Sequence, residues 1–120
     1  MLTIANCHYE SCDFYCGRDW KGYPRSPLAN PFKGPDAIKR FANWLWAQIQ
    51  AKNMTVLEAL NKIQDEHWDR VIEREMSQCD DAVYALGCWC KPKECHCTQI
   101  ILAIQCPEVI YILAEVFAPF

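Results

Sequence analysis

The stretch from Ala82 to Gln105, AVYALGCWCKPKECHCTQIILAIQ, decides the fold. Val83, Tyr84, Leu86 and Trp89 are apolar without helical spacing, so Ala82 to Cys90 is expected as a central strand that ends in Cys-Trp-Cys. Pro92 stops it, because a proline cannot donate to a sheet ladder. From His96 to Gln105, Ile100, Ile101 and Ile104 form the face of a short buried helix whose first turn sits beside Cys95 and His96. A strand, a proline-containing loop and a helix start thus follow one another, and five metal-competent or nucleophilic side chains lie at the junction.

Upstream, Leu2 to Cys7 reads as a short strand, and Phe14 to Cys16 as a second that leads into Gly17 and Arg18. Between Trp20 and Pro35 the density of Pro24, Pro27, Pro31, Pro35, Gly22 and Gly34 prevents regular structure. A packed loop over 20–35 is expected, anchored by Leu28 and Phe32. Pro35 and Asp36 suit a helix start, and Ile38, Phe41, Ala42, Leu45, Trp46 and Ile49 share one face of a helix ending near Ala51 or Lys52. Thr55 and Glu58 match a capping box for a second helix, with Val56, Leu60, Ile63, His67 and Val71 as its stripe and an end near Met76. His67 reads as a hydrogen-bonded core residue, and Trp44, Trp46 and Trp68 as core or interface aromatics. Val109 to Phe117 fits a helix by its Pro-Glu start and a strand by its Val, Ile and Tyr content. Together these elements predict a single small α+β domain over 1–120, with a short mixed sheet packed against three or four helices.

The chain has 120 residues, 52% apolar and 22% charged, which fits one ordinary core and excludes disorder and low-complexity classes. Met1 to Glu10 lacks a secretory pattern, and no run supplies the roughly 18 apolar residues of a membrane span, so a cytoplasmic protein without membrane association is expected. A net charge of −3 speaks against generic nucleic-acid binding. Charge is uneven, however. Phe14 to Arg40 carries six cations against two acids, whereas Asp65 to Asp81 carries seven acids against two arginines. Such opposite poles allow head-to-tail attraction between copies, and the basic segment allows a small anionic ligand.

Nine cysteines is dense usage for a reducing compartment, and nine is odd. Full pairing within one chain must therefore leave one thiol over. Cys88, Cys90, Cys95 and His96 form a candidate set for zinc or an iron-sulfur cluster, with Cys97 beside them, although the spacing differs from paired Cys-x-x-Cys knuckles. Cys7, Cys12 or Cys16 could complete such a set. Cys95, at a helix start where N–H groups converge, could also be an activated nucleophile. Adjacent Cys-His residues rarely aim at one atom, so an enzyme is not the favoured reading, and no cofactor is expected.

Three segments carry a family likeness: Tyr15-Cys16-Gly17-Arg18, Ser26-Pro27-Leu28-Ala29-Asn30-Pro31-Phe32, and Cys88-Trp89-Cys90-Lys91-Pro92 with Cys95-His96. In combination they resemble the domain-of-unknown-function family 4326 of phages and bacteria, from about Leu2 to about Ile104. The resemblance implies a small cytosolic domain, often phage-encoded and so in the host cytoplasm, in which the three motifs lie near one another, and it implies no activity. Cys16 stands where that family usually has an aliphatic residue, and Cys97 where it usually has glycine. The leading functional expectation is accordingly a homo-oligomer whose exposed thiols link chains under oxidising conditions, with Cys12, Cys16, Cys97 and Cys106 as candidates and Cys88 buried. A second expectation is a phosphate or nucleotide pocket lined by Arg18, Arg25, Asn30, Cys95 and His96, formed where the proline-rich loop meets the Cys-His helix start. The competing plain reading has Arg18 and Arg25 bonding loop carbonyls and Asn30 holding a turn.

Overall fold

Leu2–Asn6 (β1), Phe14–Tyr15 (β2) and Tyr84–Cys88 (β3) form one sheet in the order β1-β3-β2. The computed structural model describes residues 2–7, 11–19, 22–77 (backbone only over 73–77), 84–88 and 95–117. Both pairings are parallel, with Ile4 and Phe14 flanking Leu86 from either side. The sheet among the described residues is therefore parallel throughout and not mixed. The expected central position of the third strand is borne out, over a shorter span than Ala82 to Cys90. The flanking residues 82, 83, 89 and 90 lie outside the described ones.

Because side chains alternate along a strand, Tyr84, Leu86 and Cys88 share one face, and all three are buried in the main apolar cluster. Ala85 and Gly87 take the other face. β1 and β2 sit at opposite edges, and Cys7 and Cys12, which follow β1 and precede β2, lie over that second face of β3. Cys7 N–H donates to the Cys88 carbonyl (3.1 Å) and Asp13 N–H to the Ala85 carbonyl (2.8 Å), which fixes both ends of the crossing. Gly87 lies beneath it: a β-carbon there would fall 2.6 Å from Cys12 Cβ and equally inside the contact distance of the Cys7 and Cys12 sulfurs. The glycine is required by this close approach.

Among the described residues four helices supply the remaining layer: α1 (Ala37–Gln50), α2 (Met54–Ser77), α3 (Cys97–Gln105) and α4 (Pro107–Phe117). Phe41, Leu45 and Ile49 are buried from α1 at a spacing of four, each contributing about 1.5–3 kcal/mol of transfer free energy. α1 ends with Lys52 in the left-handed region (φ 55°), Asn53 N–H bonding the Gln48 carbonyl and Lys52 N–H the Ile49 carbonyl. The capping residue of α2 is Asn53, whose Oδ1 accepts from Thr55 N–H (3.1 Å). The capping box expected at Thr55 does not form, since α2 has already begun at Met54 and the cap is the single Asn53 side chain two residues earlier. Val56, Leu57, Leu60 and Ile63 are buried, but farther along His67 is only half-buried and Trp68 is 62% exposed, so the core stripe stops earlier than the pattern suggests. α4 resolves the ambiguity over 109–117 as helix, burying Val109 and Leu113. It bends 75° from α3, and no single described helix is long and apolar enough to cross a membrane.

Candidate metal centre

Three sulfurs meet at the carboxyl ends of the parallel strands, and a fourth, that of Cys16, is buried in the same cluster. Cys16 follows β2 directly, Cys88 is the last residue of β3, and Cys95 and Cys97 flank His96 where α3 begins. Their residues are 0%, 1%, 4% and 0% exposed, deep enough that any ligand they bind is shielded from water. The Sγ atoms of Cys88, Cys95 and Cys97 all lie within 4.8 Å of one another. Cys16 is buried in the same cluster and, with Cys88 and Cys95, acts on the Cys97 thiol. Hydrogen bonds with Cys16, Cys88 and Cys95, followed by burial, push the Cys97 thiol far above the ordinary thiol range. A bound cation would invert that preference, since a coordinating thiol is deprotonated outright.

His96 orients the group without joining its centre. Its Nε2 lies 2.7 Å from the Cys16 carbonyl and its Nδ1 3.9 Å from Cys95 Sγ. Phe41 meets the ring edge-on at 4.9 Å between centroids. With Nε2–H donating to the carbonyl, Nδ1 faces Cys95 as an acceptor. Burial works against a charged imidazole here, and the Cys95 and Cys16 hydrogen bonds outweigh it, so the net shift is upward. Cys97 N–H points at Cys95 Sγ at 3.4 Å, adding a backbone donor to a sulfur at a helix start.

The expectation that Cys16 and Cys97 are surface thiols is corrected: both are fully buried, because Cys16 shares the core face of β2 with Phe14 and Cys97 faces the sheet from the first turn of α3. Cys12 and Cys106 are half-buried. Of the set Cys88, Cys90, Cys95 and His96, Cys88 and Cys95 come together, His96 turns to the Cys16 carbonyl, and Cys90 lies outside the described residues.

The chain matches the family model Domain of unknown function (DUF4326) over residues 4–105. The chain belongs to the DUF4326 family. No curated protein and no solved structure matches it. In this DUF4326 chain the three motif segments do adjoin. Arg18 donates from Nε and Nη2 to the Asn30 carbonyl (3.1 and 2.9 Å) and from Nη2 to the Phe32 carbonyl (3.0 Å). Asn30 Nδ2 donates to the Ala37 carbonyl and its Oδ1 accepts from Phe32 N–H, closing a turn. Ser26 N–H reaches the Gly17 carbonyl, and Leu28 is fully buried beneath. His96 ties the third segment to Cys16. The DUF4326 motifs therefore hold each other. Of the residues expected around an anion, Arg18, Asn30 and His96 have polar groups committed to this scaffold, and Arg25 is exposed on the loop. Sequence reasoning set Cys97 beside the candidate ligands and gave Cys16 as one of three cysteines that could complete them, but assigned both to surface disulfides. Their one signal was position, immediately after a strand and inside a helix start.

Proposed function

We propose that this chain is a metal-binding domain in which Cys16, Cys88, Cys95 and Cys97 hold one soft divalent cation, zinc by ligand preference. The observation that carries the proposal is the mutual approach of three buried sulfurs within 4.8 Å, with Cys16 buried in the same cluster as the fourth ligand. Zinc–sulfur bonds of about 2.3 Å at tetrahedral angles set ligand sulfurs about 3.8 Å apart. The three sulfurs need to draw in by no more than about 1 Å per edge to reach that geometry. Four protein thiolates close the coordination sphere, so the role is structural: the ion fastens the ends of β2 and β3 to α3. His96, bonded to the Cys16 carbonyl, acts as an outer partner that positions the ligands.

The test is elemental analysis of the full chain, produced with zinc in the medium and purified without chelator. About one zinc per chain is expected, with cobalt substitution giving thiolate charge-transfer bands and the intense visible bands of a tetrahedral site. Iron with sulfide would assign a cluster to the same thiols. Under one-tenth equivalent of any metal, with no cobalt spectrum, refutes the proposal without requiring any variant to fold.

A second reading, redox-dependent linkage of copies, is favoured by Cys106. This half-buried thiol lies at the break between α3 and α4, on an open groove of about 400 Å³ that it shares with Trp46 and Leu102. Leu102 is 55% exposed and offers apolar surface to a second copy. Linkage through this one sulfur would yield dimers that vanish with reductant and with Cys106→Ser. Size-exclusion chromatography with and without dithiothreitol tests it, and a reductant-insensitive monomer refutes it.

A further inference from the structure

Cys7 and Cys12 stand apart from the metal centre, on the opposite face of β3. Their sulfurs are 3.7 Å apart, with the Cys7 thiol donating to Cys12 Sγ. Both residues are half-buried, so the pair is reachable from solvent on one side and packed against Gly87 on the other. The backbone at both ends of the intervening segment is pinned to β3, Cys7 to Cys88 and Asp13 to Ala85. Encounter of the two thiols is therefore built into the crossing and does not depend on loop closure.

We propose that Cys7 and Cys12 form a reversible intrachain disulfide that staples the β1-to-β2 crossing over Gly87. A disulfide has an S–S distance of about 2.04 Å, so the sulfurs must close by about 1.7 Å, within the reach of small side-chain rotations. The oxidant is a hydroperoxide. Cys12 thiolate attacks one peroxide oxygen, the O–O bond breaks, and Cys12 becomes a sulfenic acid as hydroxide leaves. Cys7, as thiolate, then attacks the Cys12 sulfur, the S–O bond breaks, and the hydroxide leaves as water after taking a proton. Two thiols and one hydrogen peroxide thus give one disulfide and two waters, and a dithiol reductant reverses the change. Cys12 is the attacking sulfur because the Cys7 hydrogen bond favours its thiolate, although burial raises both thiols.

The pair does not depend on the metal reading, and one experiment separates them. The full-length protein is exposed to a small excess of hydrogen peroxide, alkylated under denaturing conditions, and cleaved after glutamate and aspartate, which cuts at Glu10 between the two cysteines and at Asp13 between Cys12 and Cys16. The expected product is a cross-linked peptide pair joining Cys7 to Cys12, two hydrogens lighter than the reduced pair and lost with dithiothreitol. Cys7→Ser should remove the cross-link and leave Cys12 trappable as a sulfenic acid by dimedone. Alkyl label on both cysteines of the wild-type protein, or Cys12 joined to any other sulfur, overturns the proposal.

Discussion

Replacing Gly87 by alanine tests the crossing most directly. One methyl group is added on the β3 face that Cys7 and Cys12 cover, with Cys12 Cβ only 2.6 Å from the new carbon. A sulfur at a side-chain tip can rotate aside, but a β-carbon moves only with its backbone. That backbone is held by the Asp13-to-Ala85 and Cys16-to-Gly87 hydrogen bonds, each 2.8 Å. Something in this ladder must stretch. Overpacking of this kind costs about 1–3 kcal/mol, and a chain of this length loses about 4 °C of Tm per kcal/mol, so a fall of about 4–12 °C is expected. Urea unfolding at neutral pH with reductant present measures the free energy, and circular dichroism measures Tm. A Gly87→Ala protein within about 0.5 kcal/mol of wild type would refute the claim that the chain crosses tightly over β3.

Three further outcomes follow from other contacts. Arg18→Lys keeps the charge but loses the planar fork that serves the Asn30 and Phe32 carbonyls, and should cost about 1.5–3 kcal/mol in urea unfolding. Burial raises the Asp13 carboxyl, but Arg70 and the Ala85 N–H outweigh it and hold it below its ordinary value, so its stabilising contribution is present above the unfolded value near 3.8 and fades as pH falls through the lower folded one. The stability gap between wild type and Asp13→Asn should therefore narrow between about pH 5 and pH 2, and a constant gap would contradict the assignment. Asn53→Ala removes the α2 cap and should cost about 1 kcal/mol, whereas Thr55→Ala should cost less, the reverse of what a Thr55 capping box demands.

Much of the fold was legible because periodicity is local. The four-residue spacing of Phe41, Leu45 and Ile49 needs only a helix to explain it, and α1 follows within two residues of the expected bounds. Asn53 was harder, since two polar residues near a helix start compete and only the backbone path decides which one caps. The three family segments were readable as motifs. Their mutual bonds were not, because Arg18 reaches carbonyls 12 and 14 residues away.

The cysteines divide most sharply along this line. Composition alone determined that nine thiols cannot all pair within one chain, and the order of residues over 82–105 set Cys88, Cys95, His96 and Cys97 around one expected strand-to-helix junction. Which thiols face one another was decided by the parallel register. It sets Cys16 on the core face at the end of β2, beside the end of β3, while Cys7 and Cys12 meet over Gly87 on the other face. Sequence spacing carries no information about strand order, and strand order is what sorts these sulfurs into a buried four and a half-buried pair.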